Sequence, residues 1–251
     1  MRLLSVYAVM AYGFLHLPLL VLAVFSVNSS RFAAWEGFSL RWYSEMLQNS
    51  AIAEATVNSL LIAAAATLLS TIIGTLCAYG LWKRPTPWLT GSLYLSLVTP
   101  EIVTGVSLLA FFQWLFRYFH IRLGMHTVIL AHVSFSIAYV VLVVLSRLRT
   151  MDRSLEEAAL DLGTTEWRAF RDVTLPQLVP GITAAALLAF TISFDDYVIT
   201  SLVAGVDSET LPMLIYSAAR RGGTPVLHAI STVIVLTLGA LILLSERLRE
   251  A

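Results

Sequence analysis

Apolar and polar positions in this chain alternate by whole segments. Six stretches, at approximately 3–27, 55–82, 88–116, 126–146, 178–204 and 226–245, are apolar over most of their length. About 20 apolar residues in a helix cross the hydrocarbon core of a bilayer, so each stretch predicts a spanning helix. Pro100 and Glu101 break the third near its middle, which predicts a kink or an irregular turn there. The first begins straight after Arg2, is longer than a signal-peptide apolar region and has no A-x-A site behind it, so an uncleaved first span is expected. No repeat, linker or low-complexity tract divides the sequence, and residues 1–251 are expected to form a single transmembrane domain. The predicted fold class is all-α, a polytopic membrane protein of about six transmembrane helices.

Composition points the same way. The chain is 58% hydrophobic and only 13% charged, with a mean hydropathy of +0.80, where soluble domains carry roughly 25% charged residues. Its net charge of zero argues against a nucleic-acid partner. The single Cys77 lies inside an apolar stretch, forms no internal disulfide and fits no metal pattern. With the N-terminus in the cytoplasm, the inner segments hold ten Lys and Arg residues, including Arg2, Lys83, Arg84, Arg147, Arg247 and Arg249, against six outside. That is the sign of the positive-inside rule, so both termini and the segment 147–177 are expected in the cytoplasm. The outer segment 28–54 carries Trp35, Phe38, Trp42 and Tyr43, aromatics suited to the membrane–water interface. The outer segment 206–225 is expected to form a re-entrant or surface loop.

The segment 147–177 is a charged island between the fourth and fifth spans. Ser154-Leu155-Glu156-Glu157 has the S-x-x-E form of a capping box, with Ser154 as the cap and Glu157 at the third helical position. Leu155, Ala158, Ala159 and Leu162 then recur at one helical face. Gly163 follows them, where a helix end favours a residue tolerant of positive φ. Thr164 or Thr165 can cap a second helix whose Trp167 and Phe170 share a face, and Pro176 and Pro180 are expected to separate that helix from the next span. A well-capped amphipathic loop lying on the membrane would satisfy this pattern by itself.

The residues also carry a resemblance. Glu157-Ala158-Ala159, three residues, Gly163, nine residues, then Val173, Thr174, Leu175 and Pro176 resemble the EAA loop of ABC-importer permeases, EAA-x3-G-x9-I-x-LP, with Val173 in place of isoleucine. The resemblance implies the type I ABC importer permease fold, with the hairpin as a coupling helix seated in a groove of a separate ATPase. Ala158, Ala159 and the apolar face would then meet that partner, and Gly163 would make the turn.

Three carboxylates lie within apolar segments: Glu101, Asp195 and Asp196. A charge at a helix centre costs about 2.5–3.5 kcal/mol on insertion scales, and such residues face a cavity or the bundle interior. No Lys or Arg lies within the spans to offset them. Adjacent residues on a helix point about 100° apart, so either one aspartate caps or pairs elsewhere, or the helix is interrupted. Acids without bases suit a cationic substrate, to which Phe194, Tyr197 and Trp42 can add cation–π attraction.

The segments NSSRFAAWEGFSLRWYS, TPEIVTGVSLL, SRLRTMDRSLEEAALDLG and LAFTISFDDYVITSLVAG resemble the spermidine/putrescine permeases. That resemblance implies polyamine uptake at the bacterial inner membrane, together with an ATPase dimer, a second, different permease subunit and a periplasmic polyamine-binding protein. It places Trp42, Glu101, Ser193, Asp195 and Asp196 in the substrate pathway, and Glu157, Ala158, Ala159, Gly163, Leu175 and Pro176 in the coupling loop. The chain has no G-x-x-x-x-G-K-[ST] phosphate loop, so ATP and Mg are expected on the ATPase, with no cofactor, metal or catalytic residue here. The alternatives are a permease for another small solute, an intramembrane aspartyl protease pairing Asp195 with Glu101, and a proton-coupled carrier. FDDY lacks the GxGD form of such proteases, and no inverted repeat supports a carrier.

Overall fold

The computed structural model describes residues 2–32, 34–119, 121–222 and 224–250, with the side chains of 2–4, 238 and 241–250 outside that description. Arg2, Arg247 and Arg249, which enter the charge count, therefore lie outside the described side chains. Internal contacts gather the chain into two compact units, Met1–Glu54 with Leu214–Ala251, and Ala55–Met213.

The first unit opens with α1, Arg2–Ser26. Its 25 residues reach about 37 Å at ~1.5 Å per residue, more than the roughly 30 Å hydrocarbon core. Every side chain from Ser5 to Val21 is exposed, as expected of a helix apolar all round that faces lipid or another chain. The connection after α1 is wound about Asn28, itself 1% exposed. Its amide nitrogen donates to the Ala34 carbonyl at 2.8 Å, and its Oδ1 accepts from the amides of Ser30 at 3.3 Å and Glu36 at 3.1 Å. A short helix, α2, Arg41–Gln48, follows.

α3, Ser50–Lys83, begins in the first unit and continues through the second. The predicted third span is two helices: α4, Pro87–Val98, and α5, Glu101–Phe119. The break at Pro100 is as expected, because proline has no amide to continue the ladder. The extent differs: the 12 residues of α4 reach only about 18 Å, so the spanning helix is α5 alone. α6, Met125–Arg149, is the centre of the second unit, with thirteen buried residues along its length. Its Val140, Val141, Val144, Leu145 and Leu148 form one core with Ala78, Leu81 and Trp82 of α3 and the helix after the hairpin. Its Val128, Ala131 and Phe135 form another with Phe112 and Phe116 of α5.

The hairpin contains α7, Ser154–Asp161, and α8, Glu166–Ala169. A π turn, Phe170–Thr174, then leads directly into α9, Leu175–Asp195. Pro176 and Pro180 therefore do not separate the hairpin from the span, contrary to expectation. The widened turn explains it: a proline cannot donate and crowds the preceding turn, and a π turn directly upstream accommodates both defects. α9 stops at Asp195, and α10, Val198–Val203, follows after a break, so 178–204 is not one span. The 206–225 segment contains an amphipathic helix, α11, Leu211–Arg220. α12, Pro225–Glu250, covers the sixth predicted span, and packs with α1 and α2. Five helices among the described residues are long and apolar enough to cross a membrane, and the described apolar part of α12 is Pro225–Thr237.

Candidate functional site: an acid-lined cavity and an interhelical hairpin

A cavity of about 460 Å³ opens in the second unit where α5, α6 and the α9–α10 break meet. Glu101, Asp195 and Asp196 line it together with Phe135, Tyr139 and Tyr197, and among the described residues no Lys or Arg lines it. Each acid is there for a local reason. Glu101 is the first residue of α5, where the positive end of the helix dipole favours a carboxylate. Asp195 ends α9 and is exposed.

Asp196 has a different setting. Its Oδ2 accepts from the amide and the hydroxyl of Thr200, both at 2.7 Å, and its Oδ1 from the Ile199 amide at 3.4 Å. It thereby caps α10, and its side chain is only 6% exposed. His132 of α6 completes the network, with Nε2 at 2.9 Å from Thr200 Oγ1 and 3.4 Å from Asp196 Oδ2, and Nδ1 at 2.7 Å from Ser193 Oγ. Proton counting orders these bonds. Thr200 has one hydroxyl proton, and Asp196 takes it, so Nε2 of His132 donates to Thr200 Oγ1. His132, Ser193 and Thr200 are all buried. Of the expected pathway residues in this unit, Glu101 and Asp195 are exposed at the open cavity, Asp196 is a buried part of its wall, and Ser193 braces that wall from behind.

Trp42 belongs to the first unit, and it is 1% exposed. Its Nε1 donates to the Asn28 carbonyl at 2.5 Å, and the Arg41 guanidinium lies 4.6 Å from its ring centroid. The expected interfacial aromatic is therefore a packed strut of the 28–42 segment, while Trp35 and Phe38 remain exposed. A buried NH on a tryptophan takes a partner, and a loop wound on Asn28 supplies one.

In the hairpin, Gly163 has φ +87°. Its amide donates to Leu160 at 2.9 Å and that of Thr164 to Ala159 at 3.3 Å, the paired bonds of a Schellman end. Thr165 caps α8 by accepting from the Arg168 amide at 3.4 Å. The capping box at the other end is corrected. The Arg153 carbonyl already takes the Glu157 amide at 3.1 Å, leaving Ser154 nothing to cap. Asp152 does that work instead, accepting from the Ser154 amide at 2.9 Å, and this bond holds its carboxyl below the ordinary range. Leu162 and Trp167 are 86% and 64% exposed, and Leu155 and Ala158 are exposed beside them. Glu157 and Pro176 are exposed, and Ala159 and Leu175 half-buried. A polar hairpin thus presents an apolar, unsheltered face.

Residues 70–251, well over half of the chain, match the family described as binding-protein-dependent transport system inner membrane component. The chain belongs to that family. The putrescine transport system permease protein PotI of Escherichia coli (strain K12) is 42% identical over 237 residues, covering 92% of this chain and 84% of its own. The spermidine/putrescine transport system permease protein PotC of Haemophilus influenzae is 38% identical over 239 residues, covering 94% and 91%. A bacterial ABC transporter involved in the import of the acidic polysaccharide alginate has a chain that superposes with a TM-score of 0.71 at 13% identity, over 99% of this chain and 96% of its own. An amino acid ABC transporter superposes at 0.60 with 19% identity, over 82% and 97%. At those identities the structures share the fold.

This permease is a multi-pass inner-membrane subunit of an ABC importer, and as a transport subunit it is not an enzyme. Membership removes the protease and the carrier. An ATPase and a binding protein are the partners that the family implies. The sequence reading missed two groups of residues in the permease. His132 sits inside the apolar run 126–146, and an ionisable residue within a span was signal enough to seek its partner. Glu156 stands beside Glu157 of the motif, yet it is the buried one of the two, at 3% exposure.

Proposed function

We propose that this permease is one half of the membrane path of a polyamine importer. The observation that carries the reading is the cavity with two open carboxylates, Glu101 and Asp195, and no Lys or Arg among the described residues that line it. A carboxylate and an ammonium 4 Å apart near a protein surface attract by about 4 kcal/mol, and aromatic walls add cation–π attraction. Phe135, Tyr139 and Ile192 suit the methylene stretches between the ammonium groups of a di- or triamine. The likeness to putrescine and spermidine permeases supports the same cargo.

In this reading a periplasmic polyamine-binding protein delivers the cargo, and a second, different permease subunit closes the path. An ATPase dimer holding ATP and Mg drives the hairpin, and both chain termini lie in the cytoplasm. Leu155, Ala158, Leu162 and Trp167 form the face that seats in the ATPase, with Ala159 beside them and Glu157 at the rim. Gly163 sets the angle between α7 and α8, and Leu175 and Pro176 join α8 to the span. Asp196, Ser193 and His132 hold the α9–α10 break in shape, and Trp42 holds the outer segment.

Uptake of labelled putrescine and spermidine by the complete transporter in proteoliposomes tests this. Combined Glu101→Gln and Asp195→Asn is expected to lower uptake at least tenfold, with assembly and ATP hydrolysis retained. Unchanged diamine uptake in that variant, or transport of a neutral solute instead, would refute the reading.

A further inference from the structure

The docking face of α7 looks outward, but the adjoining face of the same helix is tied down. Glu156, about 100° round the helix from Leu155, is 3% exposed. Its Oε1 lies 2.8 Å from Nζ of Lys83 and accepts from the hydroxyl of Tyr79, both in the last turns of α3. The residue before α7 makes a second tie. Arg153 donates from Nη2 to the Trp82 carbonyl at 2.8 Å, with its guanidinium 4.7 Å from the Trp82 ring centroid. Phe170 of the π turn makes a third, its ring 4.5 Å from that of Tyr79. Lys83 Nζ, 5.7 Å from the Tyr79 centroid and 5.6 Å from that of Trp82, sits within the aromatic group that these ties share.

Glu156 is buried, whereas the Lys83 side chain is 36% exposed, and a pair with one charge taken out of water is a poor device for stability alone, because desolvation of the carboxylate offsets much of the attraction. It is a good device for fixing one register, since the buried Glu156 carboxylate does not tolerate losing its partner. A loop serving only to connect α6 to α9 needs no buried acid at its back. A docking helix that must transmit displacement does need an anchor on a side that its motor leaves free.

We propose that Glu156 is a positioning residue for energy coupling. Its ion pair with Lys83 clamps α7 to the end of α3, so that movement of the hairpin is delivered to α3 as well as to α9. This rests on the proposed seating of the hairpin in an ATPase. The clamp acts on the ratio of cargo moved to ATP hydrolysed, and not on ATPase capture, which belongs to the docking face.

The test uses the complete transporter in proteoliposomes, with labelled putrescine and its binding protein. Glu156→Gln keeps the size and a Tyr79 partner while removing the charge, and Lys83→Met removes the other half. Both are expected to capture the ATPase normally, yet to lower putrescine moved per ATP at least fivefold. The exchange Glu156→Lys with Lys83→Glu is expected to recover at least half of the ratio. A ratio within twofold of the parent in both single variants would overturn the proposal. So would loss of ATPase capture together with a lower unfolding temperature, which would mark a structural brace. Leu162→Asp, on the docking face, separates the two readings. Undiminished ATPase capture by that variant would overturn the seating of the hairpin and the clamp with it. Lost capture there, with unchanged ratios in Glu156→Gln and Lys83→Met, would overturn the clamp alone.

Discussion

The neighbouring aspartates at the α9–α10 break should respond in opposite ways to the same mutation. Replacing Asp196 by Ala removes the acceptor of the Thr200 amide and hydroxyl, each at 2.7 Å, and of the Ile199 amide at 3.4 Å. Hydrogen bonds in membrane proteins average about 0.6 kcal/mol each by double-mutant cycles, so three give about 2 kcal/mol. Two of those bonds are the cap of α10, which therefore adds no separate cost, and His132 is left beside a hydroxyl that has lost its acceptor. A loss of about 2 kcal/mol corresponds to a fall of roughly 4–8 °C in unfolding temperature for a chain of this size. Asp196→Asn keeps one acceptor oxygen and should lose about half of that. Asp195→Ala gives up no hydrogen bond that holds the break, and should unfold within about 2 °C of the parent while losing uptake. Thermal unfolding of the purified permease, followed by size-exclusion fluorescence, reads both numbers. If Asp196→Ala unfolds no earlier than Asp195→Ala, the network is not what holds the break, and the division of roles between the two acids is wrong.

Three further outcomes follow from the geometry. Gly205→Ala would set a methyl group on the Leu123 backbone carbonyl; overpacking against backbone should cost about 3 kcal/mol, visible as a lowered unfolding temperature. Gly163→Val forces a branched residue to φ +87°, a strain of about 1–2 kcal/mol, and should leave binding-protein delivery intact while lowering cargo moved per ATP. Trp42→Phe removes the bond to the Asn28 carbonyl, and limited proteolysis should then cut within 28–40 faster than in the parent, with residues 55–213 unaffected.

What the sequence made legible depended on how far each interaction reaches along the chain. The spans, the break at Pro100, the turn at Gly163 and the cap at Thr165 are set within a few residues, and local patterns predict them. The interruption after Asp195 was only half legible: two adjacent charges cannot share one helical face, which leaves a cap, an outside partner or a break as alternatives, while the apolar pattern of 178–204 reads as one span. The separate fates of those aspartates were not legible, because His132 lies 64 positions from Asp196 (196 − 132) and only helix packing brings them together. Glu156 and Lys83 are likewise joined by tertiary structure alone. The capping box shows the converse error. Ser154 and Glu157 fit a local template, but Asp152 offered the Ser154 amide a charged acceptor two residues earlier and took the role. Trp42 misled because an aromatic beside a membrane segment reads as an anchor, and only the winding of the chain about Asn28 turns it inward.

The π turn has a consequence for the scale of the mechanism. Because it lets α8 run into α9, helix is continuous from Glu166 to Asp195, 30 residues or about 45 Å at ~1.5 Å per residue. One end of that lever stands in the hairpin and the other carries an acid of the cavity. A hinge between them would dissipate a push at the foot as local bending. If the hairpin is driven as proposed, a push at its foot has an unbroken helix to travel along, and the π turn, Pro176 and Pro180 are the places where that helix can bend.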